Sequence, residues 1–159
     1  MNVPASVPQK LTIDEFFAAY AGREGKYELV DGVPQMMVGS NRRHARIMGN
    51  LNRRLLERLE GGPCELLASD MGLQVDQYTY RLPDLAIYCD LRDRDPMEVE
   101  PMKLNHPRVV FEILSKSTET TDHGVKLDEY QGIASVDTIV FIHASRDAFT
   151  TFERAGPTE

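Results

Sequence analysis

At 159 residues, with 42% hydrophobic and 27% charged side chains, the chain suits one domain around a single core and falls in the range of soluble globular proteins. No apolar run approaches the roughly 20 residues that cross a bilayer. The start MNVPASVPQK also lacks the basic-then-apolar pattern of a signal peptide, so no membrane segment and a cytoplasmic location are expected. The formal charge of −7 argues against a protein that coats nucleic acid through bulk positive charge, and any nucleic-acid contact must be local.

Residues 1–10 read as a flexible lead-in to one domain spanning 1–159. Thr12-Ile13-Asp14-Glu15 has the form of a capping box and opens a short helix through Phe16, Phe17 and Tyr20, closed near Gly22. Residues 27–30 and 33–38, joined by Asp31-Gly32, form a hairpin, because Asp-Gly supplies the positive φ angles of a tight turn. After Ser40 comes an amphipathic helix that ends at Gly61-Gly62. Arg42, Arg43, Arg46, Arg53, Arg54 and Arg58 fall on one arc, with Ile47, Met48, Leu51, Leu55, Leu56 and Leu59 mostly opposite. Its basic face is either merely solvated or a contact surface for a DNA backbone, with Arg42, Arg43, Arg46 and Arg53 as the candidates.

CELLAS, GLQV and the run 80–89 follow as strands. Residues 90–107, with Pro96, Pro101 and Pro107, lack either period and read as a surface excursion. The most apolar strand covers 109–114, a helix covers 122–131, and 138–143 with 149–153 close the chain as a strand pair. No repeat or linker marks a boundary, so the expected architecture is α/β, a central mixed sheet flanked by helices. Cys64 and Cys89 lie in different strands among apolar neighbours and are expected to be buried, reduced thiols. The four histidines are scattered without zinc-ligand spacing.

Two acidic residues stand out against this background. In the run RLPDLAIYCD, strand alternation separates Asp84, Ala86 and Tyr88 from Leu85, Ile87 and Cys89. In VVFEILS, Glu112 shares its face with Val110 and Leu114, while the other face is equally apolar, as in a strand buried on both sides. A carboxylate there costs several kcal/mol unless a cation or donor compensates it. The compensation is either a salt bridge, to an arginine or Lys126, or a divalent metal shared with Asp84, since two carboxylates on adjacent strands make a hard-oxygen site suited to Mg²⁺. Asp122, Lys126 and Tyr130, at i, i+4 and i+8, align on one helix face, which by itself implies no more than a surface Asp-Lys pair. Ser115, Ser117 and Thr118 lack a G-x-S-x-G turn and suit capping or turn formation.

Taken in order, Tyr27-Glu28-Leu29-Val30-Asp31-Gly32, His44, Arg81-x-Pro83-Asp84, Glu112-Ile113-Leu114-Ser115-x-Ser117-Thr118, Asp122, Lys126 and Tyr130 resemble the Uma family of endonucleases, within the PD-(D/E)XK superfamily, over nearly the whole chain. The resemblance implies a restriction-endonuclease-like core and hydrolysis of DNA phosphodiesters by a water activated at Mg²⁺, with Mn²⁺ as the alternative ion. It implies metal ligation by Asp84, Glu112 and the backbone carbonyl of Ile113. Lys126 would orient or deprotonate the water, and Glu28 would complete the acidic cluster. His44, Asp122 and Tyr130 match the pattern without an assigned role. A homodimer is expected, because cutting both strands calls for paired sites.

Two departures matter. The superfamily's lysine two residues after the acid is Leu114 here, which moves the basic role to Lys126; Lys116, standing where the family has proline, is the rival. The same departures favour an alternative, a catalytically inactive nuclease-like module that binds or regulates.

Overall fold

The computed structural model describes residues 10–68, 70–93, 103–115 and 122–155. Helix α1 (Ile13–Tyr20) opens on the expected capping box. Thr12 accepts from the Glu15 amide, and the Glu15 carboxylate returns to the Thr12 amide at 2.8 Å. Strands β1 (Tyr27–Val30) and β2 (Val33–Met36) pair antiparallel around Asp31 (φ 48°) and Gly32 (φ 79°). Helix α2 (Arg42–Leu59) is capped by the Asn41 side chain, which accepts from the His44 amide at 3.0 Å.

The remaining elements are β3 (Glu65–Ala68), β4 (Gly72–Gln74), β5 (Tyr80–Arg81), β6 (Leu85–Tyr88), a 3-10 turn (Leu91–Asp93), β7 (Lys103–Leu104), β8 (Pro107–Leu114), α3 (Asp122–Gly132), β9 (Thr138–His143) and β10 (Ala148–Glu153). They form two five-stranded sheets, ordered β2-β1-β5-β4-β7 and β10-β9-β8-β6-β3. Each holds one parallel pair, β4 with β7 and β8 with β9.

Two expectations are corrected here. The run 80–89 is not one strand but two, β5 and β6, which belong to different sheets. Pro83 has no amide to donate to a ladder, so the chain leaves one sheet at Leu82 and enters the other at Leu85. Second, Cys64 and Cys89 are not free thiols but a disulfide, with Cα atoms 4.1 Å apart. Glu65 lies opposite Tyr88 in the antiparallel β3–β6 pair, so the next step along the ladder sets the two cysteines face to face, both half-buried.

Apolar clusters hold these layers. Ile13 and Phe16 of α1 pack on Leu29, Tyr80 and Leu82. Met48, Leu51, Leu55 and Leu59 of α2 cover one face of the second sheet at Leu66, Leu85, Ile87 and Phe111. The opposite face carries Val110, Leu114, Ile139 and Phe141 against Tyr130 and Ile133 of the α3 region and Leu73 of β4, so this cluster joins the two sheets. The Glu112 strand is therefore apolar on both sides, as its sequence requires.

Gly72 marks a close approach between β4 and β5. A Cβ there would collide with the Tyr80 ring, whose hydroxyl hydrogen-bonds the Gly72 backbone and which is fixed by Phe16 and Phe17. Gly72→Ala is expected to cost about 1–3 kcal/mol, the range for overpacking a buried contact. The check is a lower urea midpoint at unchanged m-value.

Candidate active site

The ladder between β6 and β8 pairs Leu85 with Phe111 and Ala86 with Val110. Asp84 comes directly before the first paired residue of β6, at the end of the ladder where Glu112 follows Phe111 in β8, and Glu112 points to the face that α3 covers. Asp84 Oδ2 accepts from the Ile113 amide at 2.7 Å, which ties the loop end of β6 to β8. Asp84 Oδ1 lies 3.1 Å from His44 Nε2, from the first turns of α2. Two helices on opposite faces thus meet at this corner of the sheet.

Glu112 is reached from α3. Lys126 Nζ donates to its Oε1 at 2.8 Å and Tyr130 Oη to the same oxygen at 2.5 Å. The positions i and i+4 bring both donors onto one helix face, and that face is turned inward: the Lys126 side chain is 13% exposed and Glu112 6%. A surface Asp-Lys pair is therefore not what Lys126 makes.

Burial pushes the Glu112 carboxyl above the ordinary carboxylate range, and the Asp84 charge adds to the push against the opposing pull of Lys126 and Tyr130. For Lys126, burial works downward, but the Glu112 and Glu28 carboxylates outweigh it and hold the ammonium above its usual value. Tyr130 is raised by burial and then by Glu112 and Glu28. At neutral pH the cluster presents a cationic lysine and a neutral phenol to one buried carboxyl group.

Behind it lies a second charged network. Arg81 donates from Nη1 to Glu28 Oε2 at 2.9 Å and from Nε and Nη2 to the two oxygens of Glu129 at 2.7 and 2.8 Å. The other Glu28 oxygen accepts from the Leu82 amide at 2.9 Å. Glu28 is thus engaged by a guanidinium and a backbone amide, beside the Asp84–Glu112 pair. Its charge reaches Lys126 and Tyr130 as a field, with no direct bond between them in the structure.

Sequence reasoning passed over Glu129. Its signal was its place three residues after Lys126 on the same inward face of α3. Arg81 stood in the matched motif without a role, as did His44, and both touch acids of the site. Leu114, at the position of the superfamily lysine, is a core residue at 3% exposure. The rival Lys116 and the side chain of Asp122 lie outside the described residues. The Ile113 group seen to engage the site is its amide. Of the arginines on α2, Arg43 pairs with Asp147 at 3.3 Å and Arg53 with Glu57 at 2.6 Å, both exposed, while Arg42 and Arg46 border a cleft beside β9 and β10.

The donor set is compatible with a small hard cation. Among the described residues no three His, Cys, Asp or Glu side chains cluster as a metal cage. Mg²⁺ does not require one, because it takes one or two carboxylates and keeps much of its water. The Asp84 charge raises the proton affinity of Glu112, and a cation near both would offset that repulsion.

Arg81→Met would leave Glu28 and Glu129 buried with no guanidinium, and the expected loss is about 3–5 kcal/mol of unfolding free energy, read by denaturant titration. Lys126→Met, measured in EDTA, is expected to cost about 3 kcal/mol at pH 8 and less at pH 4. The sign follows from Glu112: its folded value lies above its unfolded one, so stability is kept below the unfolded value and drains as pH rises through the folded one.

Comparison with known proteins gives the chain a family and a fold likeness. The sequence profile of the Uma2 family, described as "Putative restriction endonuclease", matches residues 13–158. A Synechocystis sp. protein, "Uncharacterized protein slr1290", is 33% identical over 128 residues, covering 80% of this chain and 65% of that protein. The chain thus spans just under two thirds of this relative's length. A crystal structure titled as a putative nuclease belonging to DUF820, from Anabaena variabilis, superposes with a TM-score of 0.74 at 16% identity, covering 94% of this chain and 83% of that one. At that identity the likeness concerns the fold, which is nuclease-like. No helix among the described residues is long and apolar enough to cross a membrane. By the span of the profile match, the chain belongs to the Uma2 family of "Putative restriction endonuclease" proteins.

Proposed function

We propose that the protein is a metal-dependent endonuclease that hydrolyses DNA phosphodiesters, with Asp84, Glu112 and Lys126 as its catalytic residues. The observation that carries this reading is that Asp84 bonds the amide of Ile113, the residue after Glu112, while the Lys126 ammonium lies 2.8 Å from Glu112. Asp84, Glu112 and the Ile113 carbonyl would hold Mg²⁺ or Mn²⁺. When bound, the ion would supply Lewis acidity toward the phosphoryl oxygens.

The remaining work falls to the chain. Water adds to phosphorus in line with the departing oxygen, one P–O ester bond breaks, and the leaving oxygen takes up a proton. Lys126, held cationic, stabilises charge on the non-bridging oxygens and orients the water, a role that suits a protonated ammonium better than that of a base. Tyr130 and Lys126 fix the Glu112 rotamer by sharing one of its oxygens. His44 steadies Asp84. Glu28, satisfied by Arg81 and Leu82, acts through its field on Lys126 rather than as a ligand. A homodimer would bring two such sites to the two strands of a duplex.

The low exposure of Glu112 favours one rival reading, an inactive module whose Glu112–Lys126 pair serves only the fold. Incubation of supercoiled plasmid with the protein and Mg²⁺ separates the two. Nicking is expected in the wild type, with a drop of at least a hundredfold in Asp84→Ala, Glu112→Ala and Lys126→Ala and complete loss in EDTA. DNA binding without nicking, or nicking unaffected by these changes, would overturn the assignment.

A further inference from the structure

Helix α2 does not cover the whole face on which it lies. Its apolar side reaches β3, β6 and β8, but β9 and β10 extend beyond it and present half-buried Val140 and Ile142 and the Phe149 ring, 69% exposed. Between these strands and the first turns of α2 runs a cleft of about 850 Å³, within the roughly 300–1,000 Å³ of ligand-sized pockets. Arg42, Arg43 and Arg46 border it from the helix and Arg146 from the β9–β10 turn. Among the described residues Asp147 is the one acid on its border, and it lies against Arg43 at 3.3 Å. Four guanidiniums around an apolar wall, in a chain of net charge −7, is a local inversion of the protein's field.

The chemistry of this cleft is more specific than that of a phosphate-binding ridge. Guanidiniums alone would suit the outside of a duplex, whose base faces are hidden within the stack. An exposed phenyl ring above an apolar floor has no use there, but it matches the flat face of a base that has no stacking neighbour. The cleft lies on the α2 face of the sheet: Phe111, which lines it, points away from the face of its neighbour Glu112, and the link to the acidic pair runs through α2, where Arg43 precedes His44, which touches Asp84.

We infer that this cleft binds unpaired deoxynucleotides of a single DNA strand, one base stacked on Phe149 and the flanking phosphates held by Arg42 and Arg46. The inference rests on the nuclease reading given above for its biological sense, although the binding itself does not require cleavage.

The test uses the full chain in EDTA with a fluorescein-labelled 12-nucleotide oligodeoxynucleotide, single-stranded or annealed to its complement, read by fluorescence anisotropy. Phe149→Ala is expected to weaken single-strand binding about fivefold to a hundredfold, the effect of losing one base–aromatic stack. Duplex binding should move by less than about twofold, and Phe149→Trp should restore single-strand affinity. Arg46→Gln should lower the log–log salt slope for the single strand by about 0.7. Phe149 is solvent-facing, and an unchanged thermal melt confirms that Phe149→Ala folds. Single-strand affinity that is indifferent to Phe149, equal losses on both DNA forms, or no binding to either would overturn the inference. Plasmid nicking decides the nuclease reading separately: nicking without Phe149-dependent binding removes only the cleft, and Phe149-dependent binding without nicking removes only the catalysis.

Discussion

The arrangement depends on one buried charge. Glu112 occupies a strand with apolar packing on both faces, a place where a carboxylate is tolerated only if other groups meet it. Lys126 and Tyr130 do so from α3, and in doing so they fix the roll of that helix about its axis. Once Lys126 and Tyr130 face inward, Glu129 must also lie near the interior, and Arg81 meets it with two bonds. Arg81 in turn satisfies Glu28. Positive and negative groups alternate across two sheets and a helix, so removal of any one strands its neighbours. Such networks are costly relative to an apolar core, and a fold that keeps one at a corner of its sheet keeps it where charge can be used.

The stretch Arg81-Leu82-Pro83-Asp84 links this network to the acidic pair. Arg81 lies in β5, the middle strand of one sheet, the Leu82 amide donates to Glu28, Pro83 ends the pairing, and Asp84 stands directly before β6 of the other sheet. A proline at that point sets a residue free of the ladder directly before a buried strand, so the Asp84 carboxylate can turn back to accept from the Ile113 amide. The four residues thus join sheet to sheet and electrostatic support to candidate ligand. Their juxtaposition explains why an arginine and an aspartate three positions apart both belong to one site while contacting different elements.

What could be read from the residues alone was local. The capping box of α1, the Asp-Gly hairpin and the amphipathic α2 all follow from the period of 3.6 and from turn chemistry. Partners distant in sequence were not legible. Period 2 runs through 80–89 with no sign that Pro83 divides it between sheets. Cys64 and Cys89 each resemble an ordinary core thiol until β3 and β6 are known to be neighbours. Glu129 looks like any acidic residue on a helix exterior until Lys126 and Tyr130 have set which side of α3 is inside.

The same dependence on strand order governs the uncovered part of the second sheet. A sheet of five strands is wider than one helix, and α2 is anchored over β3, β6 and β8 by Met48, Leu51, Leu55 and Leu59. Shifting α2 toward β9 would expose Leu66 and Ile87 and pull His44 from Asp84, so the gap beside β9 and β10 results from holding His44 in place. An apolar strip left open beside solvent costs stability and invites association, and its border is mostly basic, with Asp147 paired to Arg43. The basic arc of α2 therefore acts where it meets that strip, at Arg42, Arg43 and Arg46. Arg53, two turns further on, is paired with Glu57 on the open surface and contributes to neither.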